Sequence, residues 1–338
     1  MEQELNLNYF YNLAYLERKP VSAVIELLTE CNLRCKHCYI PSHTNKGMST
    51  EKIKSLLYEL HAMGVLNISF TGGEIFLHPH IMDFIALARS LHMRVFLLSN
   101  GTLLNESIVK SLSELHISEF STTMFSLDPK VHDFITSQPG SLDILLKNLQ
   151  LLKKYNINVK IKTPLLDVNA FEYRDIKKYC EKNHFVFKTS LLIFSKTNGD
   201  NSPTLLRVKA EKLNTILKEL DIPDKQGKNH LYLYEHPCAA LLYTISIDAN
   251  GNVFPCNSVP YKVGNVFEHS INEIWNESRE LKFIQNIKKA DLKDCIKCKY
   301  KEFCDRCPGV ALSETGNILS CEPFAKQLAK IRASNYQI

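Results

Sequence analysis

Cys31, Cys35 and Cys38 stand in the run Cys31-Asn32-Leu33-Arg34-Cys35-Lys36-His37-Cys38. Three thiolates at this spacing can hold three corners of a four-iron cluster. The fourth iron then carries no protein ligand, and a small molecule can occupy it. Three other segments have unusual chemistry: Thr71-Gly72-Gly73-Glu74, Ser99-Asn100-Gly101-Thr102 and Ser126-Leu127-Asp128. Gly72 and Gly73 allow a backbone to approach a ligand closely, and Glu74 offers an acceptor for a ligand ammonium group. One such segment alone reads most simply as a strand-to-helix turn. Four of them at equivalent places read as a cofactor site.

The elements around these segments place them together. Apolar strands are predicted at 23–28, 67–71, 94–99, 119–124, 158–163 and 185–191. Between them run amphipathic helices, the first capped by Ser49 or Thr50 and ended by Gly64, the others at 80–91, 105–115, 142–155 and 173–183. Six strand–helix repeats imply a parallel sheet with right-handed crossovers. Six units are too few to close an eight-unit barrel, so the expected fold is α/β, a partial (βα)6 barrel. Each chemical segment follows a strand and so lies at the C-terminal edge of the sheet, where such barrels place their active sites. Asp128 and Lys162 fall toward the same edge as candidates for proton transfer.

A polar loop over 196–203 and a connecting helix over 209–220 follow, and then the composition changes. Seven of the eleven cysteines lie between Cys238 and Cys321, with one hairpin signal at Asp248-Ala249-Asn250-Gly251-Asn252. A segment so small and cysteine-rich is expected to build itself around metals, because its apolar core is thin. Cys295, Cys298, Cys304 and Cys307 could form one four-thiolate zinc site, but that leaves Cys238, Cys256 and Cys321 unexplained. Cys180 has no cysteine near it and reads as a buried structural thiol. The expected division is an N-terminal extension 1–20, a core domain 21–200, a linker with a bridging helix 201–236, an auxiliary domain 237–332 and a tail 333–338.

Composition narrows the class. No apolar run is long enough to cross a bilayer without charges, and the N-terminal segment lacks the basic and apolar parts of a signal peptide. The expected location is the cytoplasm, where thiols stay reduced, so the cysteines are metal ligands rather than a disulfide framework. The formal charge of +5 is mild and scattered, which reads as a solvated surface and not as a nucleic-acid interface.

With Cys-x3-Cys-x2-Cys after the first strand and Gly-Gly-Glu after the second, residues 22–191 resemble the radical S-adenosylmethionine (radical SAM) superfamily. Cys238, Cys256 and Cys295-x2-Cys298-x5-Cys304-x2-Cys307, with Cys321, resemble its SPASM extension over 237–332. The resemblance implies three [4Fe–4S] clusters. Cys31, Cys35 and Cys38 would hold the one whose open iron takes S-adenosylmethionine and cleaves it to a 5′-deoxyadenosyl radical. Gly72, Gly73 and Glu74 would contact the methionine ammonium, Ser99 and Asn100 the ribose or carboxylate, and His37 the adenine. Tyr39 and Ser126 complete the implied cofactor contacts. Cys295, Cys298, Cys304 and Cys321 would complete the outer auxiliary cluster, and Cys238, Cys256 and Cys307 would hold the inner one. The full SPASM pattern has eight cysteines and this chain has seven. Either His230, Glu235 or His236 supplies the missing ligand, or the inner cluster keeps an open iron that a substrate thiolate can bind.

The segments 304–311 and 125–133 resemble enzymes that mature ribosomally synthesised peptides. The implied substrate is a ribosomal precursor peptide, and the leading outcome a thioether cross-link. Carbon–carbon cross-linking, another peptide oxidation or epimerisation follows. Dehydrogenation of a small alcohol or sugar, maturation of a cofactor precursor, and a non-enzymatic electron-transfer role are the rivals. About twenty residues precede the first strand, so leader recognition would fall to a separate small partner protein, or the substrate would lack a leader. A flavodoxin or ferredoxin would donate electrons.

Overall fold

The computed structural model describes residues 7–220 and 235–335. The chain divides into two compact units, one of residues 22–208 with 246–252, the other of 1–21, 209–245 and 253–338.

The first unit carries six strands: β1 (Ser22–Glu26), β2 (Asn67–Thr71), β3 (Arg94–Leu98), β4 (Glu119–Thr123), β5 (Val159–Pro164) and β6 (Val186–Ser190). They pair in parallel in the order β6-β5-β4-β3-β2-β1, and no pairing joins β6 to β1 among the described residues. The barrel is therefore open, and the six-repeat reading holds.

The crossovers include α2 (Thr50–Ala62), α3 (Ile81–Ser90), α4 (Glu106–Glu114), α6 (Ser141–Lys154) and α7 (Tyr173–Asn183). Side-chain alternation explains the layering. Ile25, Phe70, Leu97, Phe120 and Ile161 are all fully buried. So are Ile53, Leu56, Leu57 and Leu60 of α2, spaced along one helix face. The intervening strand residues, among them Lys160 and Lys162, are only partly buried and turn to the opposite face.

An additional helix, α5 (Pro129–Thr136), was not foreseen. Its signal is in the sequence: Asp128 is the N-cap, accepting from Lys130 N–H at 2.9 Å, and Pro129 occupies the first turn, where proline is favoured.

The hairpin signal at 248–252 is real. Asp248 Oδ1 accepts from Asn250 N–H at 2.8 Å and Asn252 N–H at 2.9 Å, and Gly251 sits at φ +77°, a conformation glycine adopts without strain.

The second unit contains α1 (Leu7–Glu17), α8 (Ala210–Leu220), a series of short helices and a longer helix over Pro323–Asn335. Tyr15 packs edge-on to His236 at 5.6 Å, so α1 is tied to this unit. One core cluster is small: Leu241, Val259, Ile284, Ile287 and Ile318, with Cys238 and Cys256 packed against it. Cys180 is buried in α7. No helix of the described residues is long and apolar enough to cross a membrane.

Candidate active site and the C-terminal cysteine sets

The loop after β1 carries Cys31, Cys35 and Cys38 over the C-terminal edge of the sheet. With Gly72, Gly73, Ser99, Asn100, His37 and Tyr39 they line one cavity of about 210 Å³. Burial first, then the thiols of Cys38 and Cys31, push Cys35 up to about 12. Burial likewise raises Cys31 and Cys38. Thiols held this close to one another favour a metal that takes them as thiolates.

Hydrogen-bond donors already face the sulfurs. Leu33 N–H points at Cys31 Sγ at 3.4 Å, Asn100 Nδ2 at the same sulfur at 3.8 Å, and His43 Nε2 lies 3.7 Å from Cys38 Sγ. Donors to cluster sulfurs raise a cluster's potential.

The Gly-Gly segment forms a close cradle. Gly73 N–H donates to Leu28 O at 2.8 Å, and a Cβ on Gly73 would lie 2.1 Å from Glu30 O. The backbone therefore passes directly against the cysteine loop, which only glycine permits.

Glu74 departs from its expected role. It is fully buried and does not line the cavity. Its carboxylate accepts from Ser99 Oγ at 2.8 Å, Asn100 N–H at 2.8 Å and Phe76 N–H at 3.1 Å. It holds the β3 loop in place rather than offering itself to a ligand, although burial raises its pKa.

The Asn100 side chain is engaged as well. Its Nδ2 donates to Asn32 Oδ1 at 2.8 Å and its Oδ1 accepts from Thr102 N–H at 2.9 Å. Asn100 thus ties the cysteine loop to the β3 loop. Ser99 stays on the lining.

Ser126 and Asp128 also lie off the cavity lining. Ser126 is fully buried away from the cavity and bonds Glu172 and Asp128 N–H. Asp128 is an exposed helix cap and also lies off the lining. Its Asp-Pro signature is that of a cap, and local capping won over a catalytic role.

His37 lines the cavity edge-on to Phe125 at 4.9 Å, and burial pulls it down to about 4. Its Nδ1 is buried with no partner, an open position for a bound group. Tyr39 donates to Glu26 Oε2 at 3.3 Å. Three residues went unnoticed in the sequence: His43, His132 and Glu26. His132 lines the cavity and accepts from Phe125 N–H. Glu26 ends β1 on the inward side of its alternation, and burial raises it to about 7.

In the second unit the cysteines sort into two sets. Cys256 is influenced by Cys238 and Cys307, and Cys307 by Cys238. Cys295 is influenced by Cys321 and Cys298, and Cys304 by Cys295 and Cys321. Cys307 thus stands with Cys238 and Cys256 and not with the pairs beside it in sequence, which is at odds with the zinc reading. Among the described residues no three His, Cys, Asp or Glu side chains converge tightly enough for one metal ion; a multi-iron core spans more space.

Glu235 is exposed and paired with Lys288 at 2.5 Å, and His236 Nδ1 bonds Ile287 O at 2.8 Å. His230 lies outside the described residues.

Residues 25–181 match the profile of the Radical SAM superfamily, and residues 238–308 that of SPASM, an iron-sulfur cluster-binding domain. The chain is a radical SAM enzyme.

Its relatives are of more than one kind. An AdoMet-dependent heme synthase of Methanosarcina barkeri is 24% identical, over 88% of this chain and 94% of that protein. An antilisterial bacteriocin subtilosin biosynthesis protein of Bacillus subtilis is 27% identical, over 85% of this chain and 67% of its own length. Among solved structures, Streptococcus suis SuiB bound to precursor peptide SuiA has a TM-score of 0.67 at 16% identity, covering 95% of this chain and 82% of that one. The structure of anSMEcpe with AdoMet and a peptide has a TM-score of 0.70 at 19% identity, covering 94% and 97%. These likenesses establish the fold of this radical SAM enzyme.

Proposed function

We propose that this radical SAM enzyme modifies a ribosomally synthesised peptide, forming a thioether between a cysteine sulfur and a peptide carbon. The observation that carries the reading is the repeated three-thiol set. Cys238, Cys256 and Cys307 stand together as Cys31, Cys35 and Cys38 do, while the nearby Glu235 carboxylate is engaged by Lys288. Three protein ligands leave one position, the first for S-adenosylmethionine and the second for a substrate thiolate. Cys295, Cys298, Cys304 and Cys321 supply a complete set of four. The likeness to the subtilosin biosynthesis protein supports a peptide substrate.

A cluster held by Cys31, Cys35 and Cys38 would supply the electron for cleavage of S-adenosylmethionine, and one held by Cys238, Cys256 and Cys307 would take up an electron during S–C bond formation. The chain's own residues position the parts. Gly72 and Gly73 admit the cofactor close to the cysteine loop. Asn100 donates toward the Cys31 sulfur, and His43 Nε2 lies beside that of Cys38. His37 offers its orphaned Nδ1 to the cofactor. Lys162, whose pKa burial lowers, lies on the cavity wall. A flavodoxin or ferredoxin would deliver electrons, a separate small protein would present the peptide leader, and the site of action would be the cytoplasm.

Mössbauer or EPR spectra of the reconstituted protein with a cysteine-containing peptide test the reading. The auxiliary signals are expected to change with the Cys peptide and not with its Ser counterpart. Identical spectra under saturating peptide would remove the thioether reading. Modification of a cofactor precursor is a second reading, favoured by the match along 94% of a heme synthase. It predicts the same cleavage of S-adenosylmethionine with no peptide product.

A further inference from the structure

The inward face of β5 and β6 carries a like-charge pair. Lys162 and Lys188 are direct partners in the parallel register, so their side chains leave the sheet on the same face about 5 Å apart. Two like charges set opposite each other destabilise a sheet. A local rule broken in this way marks a place where function outweighs stability.

The acid that acts on Lys162, Glu119, is shared with a third lysine. Lys160, one pleat away on the same face, is paired with Glu119 at 2.5 Å. Lys162 and Lys188 have no hydrogen-bonded or ion-paired partner among the described residues. Lys162 lines the cavity that holds the cysteine triplet, and no Asp or Glu lines that cavity. Lys188 is exposed on β6, the last strand of the open sheet, with Val186 and Ser190 exposed beside it on the same face. Lys188 thus carries the charge of the cavity wall at Lys162 out to the edge strand of the sheet.

We propose that Lys162 and Lys188 together bind a carboxylate of the substrate, an Asp or Glu side chain close to the residue being modified. The inference rests on the reading of the protein as a peptide maturase and adds a charge requirement to it. Lys188 is the residue that sets the preference, because it is the exposed member of the pair. A carboxylate between the two ammonium groups relieves their repulsion and gains charge-assisted hydrogen bonds.

The test uses the reconstituted full-length protein with S-adenosylmethionine bound. Two capped hexapeptides are titrated at low ionic strength, one with Glu on either side of a central Cys, the other with Gln. The acidic peptide is expected to bind at least about tenfold more tightly, the effect of one hydrogen-bonded charge. Lys188→Gln should reduce the preference to about threefold or less. Lys188→Glu should reverse it, and Lys188→Arg should keep most of it. Added salt should weaken the preference in the wild type.

An unchanged preference in Lys188→Glu would overturn the proposal. So would a rise in the KM for S-adenosylmethionine that matches the lost peptide preference, because the pair would then serve the cofactor's own carboxylate. Glutarate is the control for the parent reading. If it competes as well as the acidic peptide, and does so through Lys188, the carboxylate site stands and the peptide reading falls.

Discussion

The two cysteine-bearing regions rest on different foundations. Cys31, Cys35 and Cys38 are mounted on a sheet whose helix-facing residues, from Ile25 to Ile161, are fully buried. Their loop is pinned by backbone bonds such as Gly73 N–H to Leu28 O and Leu27 N–H to Thr71 O. The C-terminal cysteines sit among short helices, and Cys238 and Cys256 themselves pack against a five-residue apolar cluster. The first region is expected to need metal for its chemistry and not for its fold, and the second to draw part of its stability from metal beside its own apolar core.

Mutation of the triplet sharpens this contrast most. Cys35→Ala is expected to reduce cleavage of S-adenosylmethionine to background while leaving the auxiliary iron in place, which an iron assay and the 5′-deoxyadenosine yield would show together. Loss of auxiliary iron in the same variant would break the separation.

Removal of iron by chelation comes next. Amide exchange in the 238–321 region should accelerate toward the rate of an unfolded chain, while the strands of the barrel keep their protection. Equal acceleration in both regions would mean that the barrel also depends on metal.

Gly73→Ala inserts a Cβ 2.1 Å from Glu30 O. Overpacking of this kind costs about 1–3 kcal/mol. It should raise the KM for S-adenosylmethionine and lower the melting temperature without changing the auxiliary spectra.

Asn100→Ala removes a donor to Cys31 Sγ. The potential of the first cluster should fall, and cleavage should slow by about tenfold, the worth of a hydrogen bond to a charged group. An unaltered potential in an EPR redox titration would show that Asn100 only braces the loop.

The smallest expected effect belongs to Glu26, raised by burial to about 7 from an ordinary 4.5. Its protonated form is favoured in the folded state. That contribution is complete below about pH 4.5 and is lost as pH rises through about 7. Glu26→Gln should therefore flatten part of the decline in melting temperature between pH 5 and pH 8.

Much of the barrel was legible because periodicity records burial. β2 and the helix α8 fall where the alternation and the apolar face put them. The cysteine triplet and the Gly-Gly turn were legible because their spacing is their chemistry. Side-chain direction was not. Glu74 follows two glycines at the edge of the site, yet its carboxylate turns inward to Ser99 and Asn100, a choice made by partners distant in sequence. The cap at Asp128 was legible, since the Pro after it already signals a helix start. The sorting of Cys307 away from Cys304 could be inferred only from a resemblance, because nothing local separates two cysteines two residues apart. The Lys162–Lys188 pair required the register of β5 on β6, which no single segment contains.

The division of labour between the two regions is tested most directly by Cys256→Ser, assayed with reductant, S-adenosylmethionine and a cysteine-containing precursor peptide. Mass spectrometry counts modified peptide while chromatography counts 5′-deoxyadenosine from the same reaction. The account predicts that 5′-deoxyadenosine still forms and that cross-linked peptide disappears. Cross-linked peptide at the wild-type ratio to 5′-deoxyadenosine would contradict it.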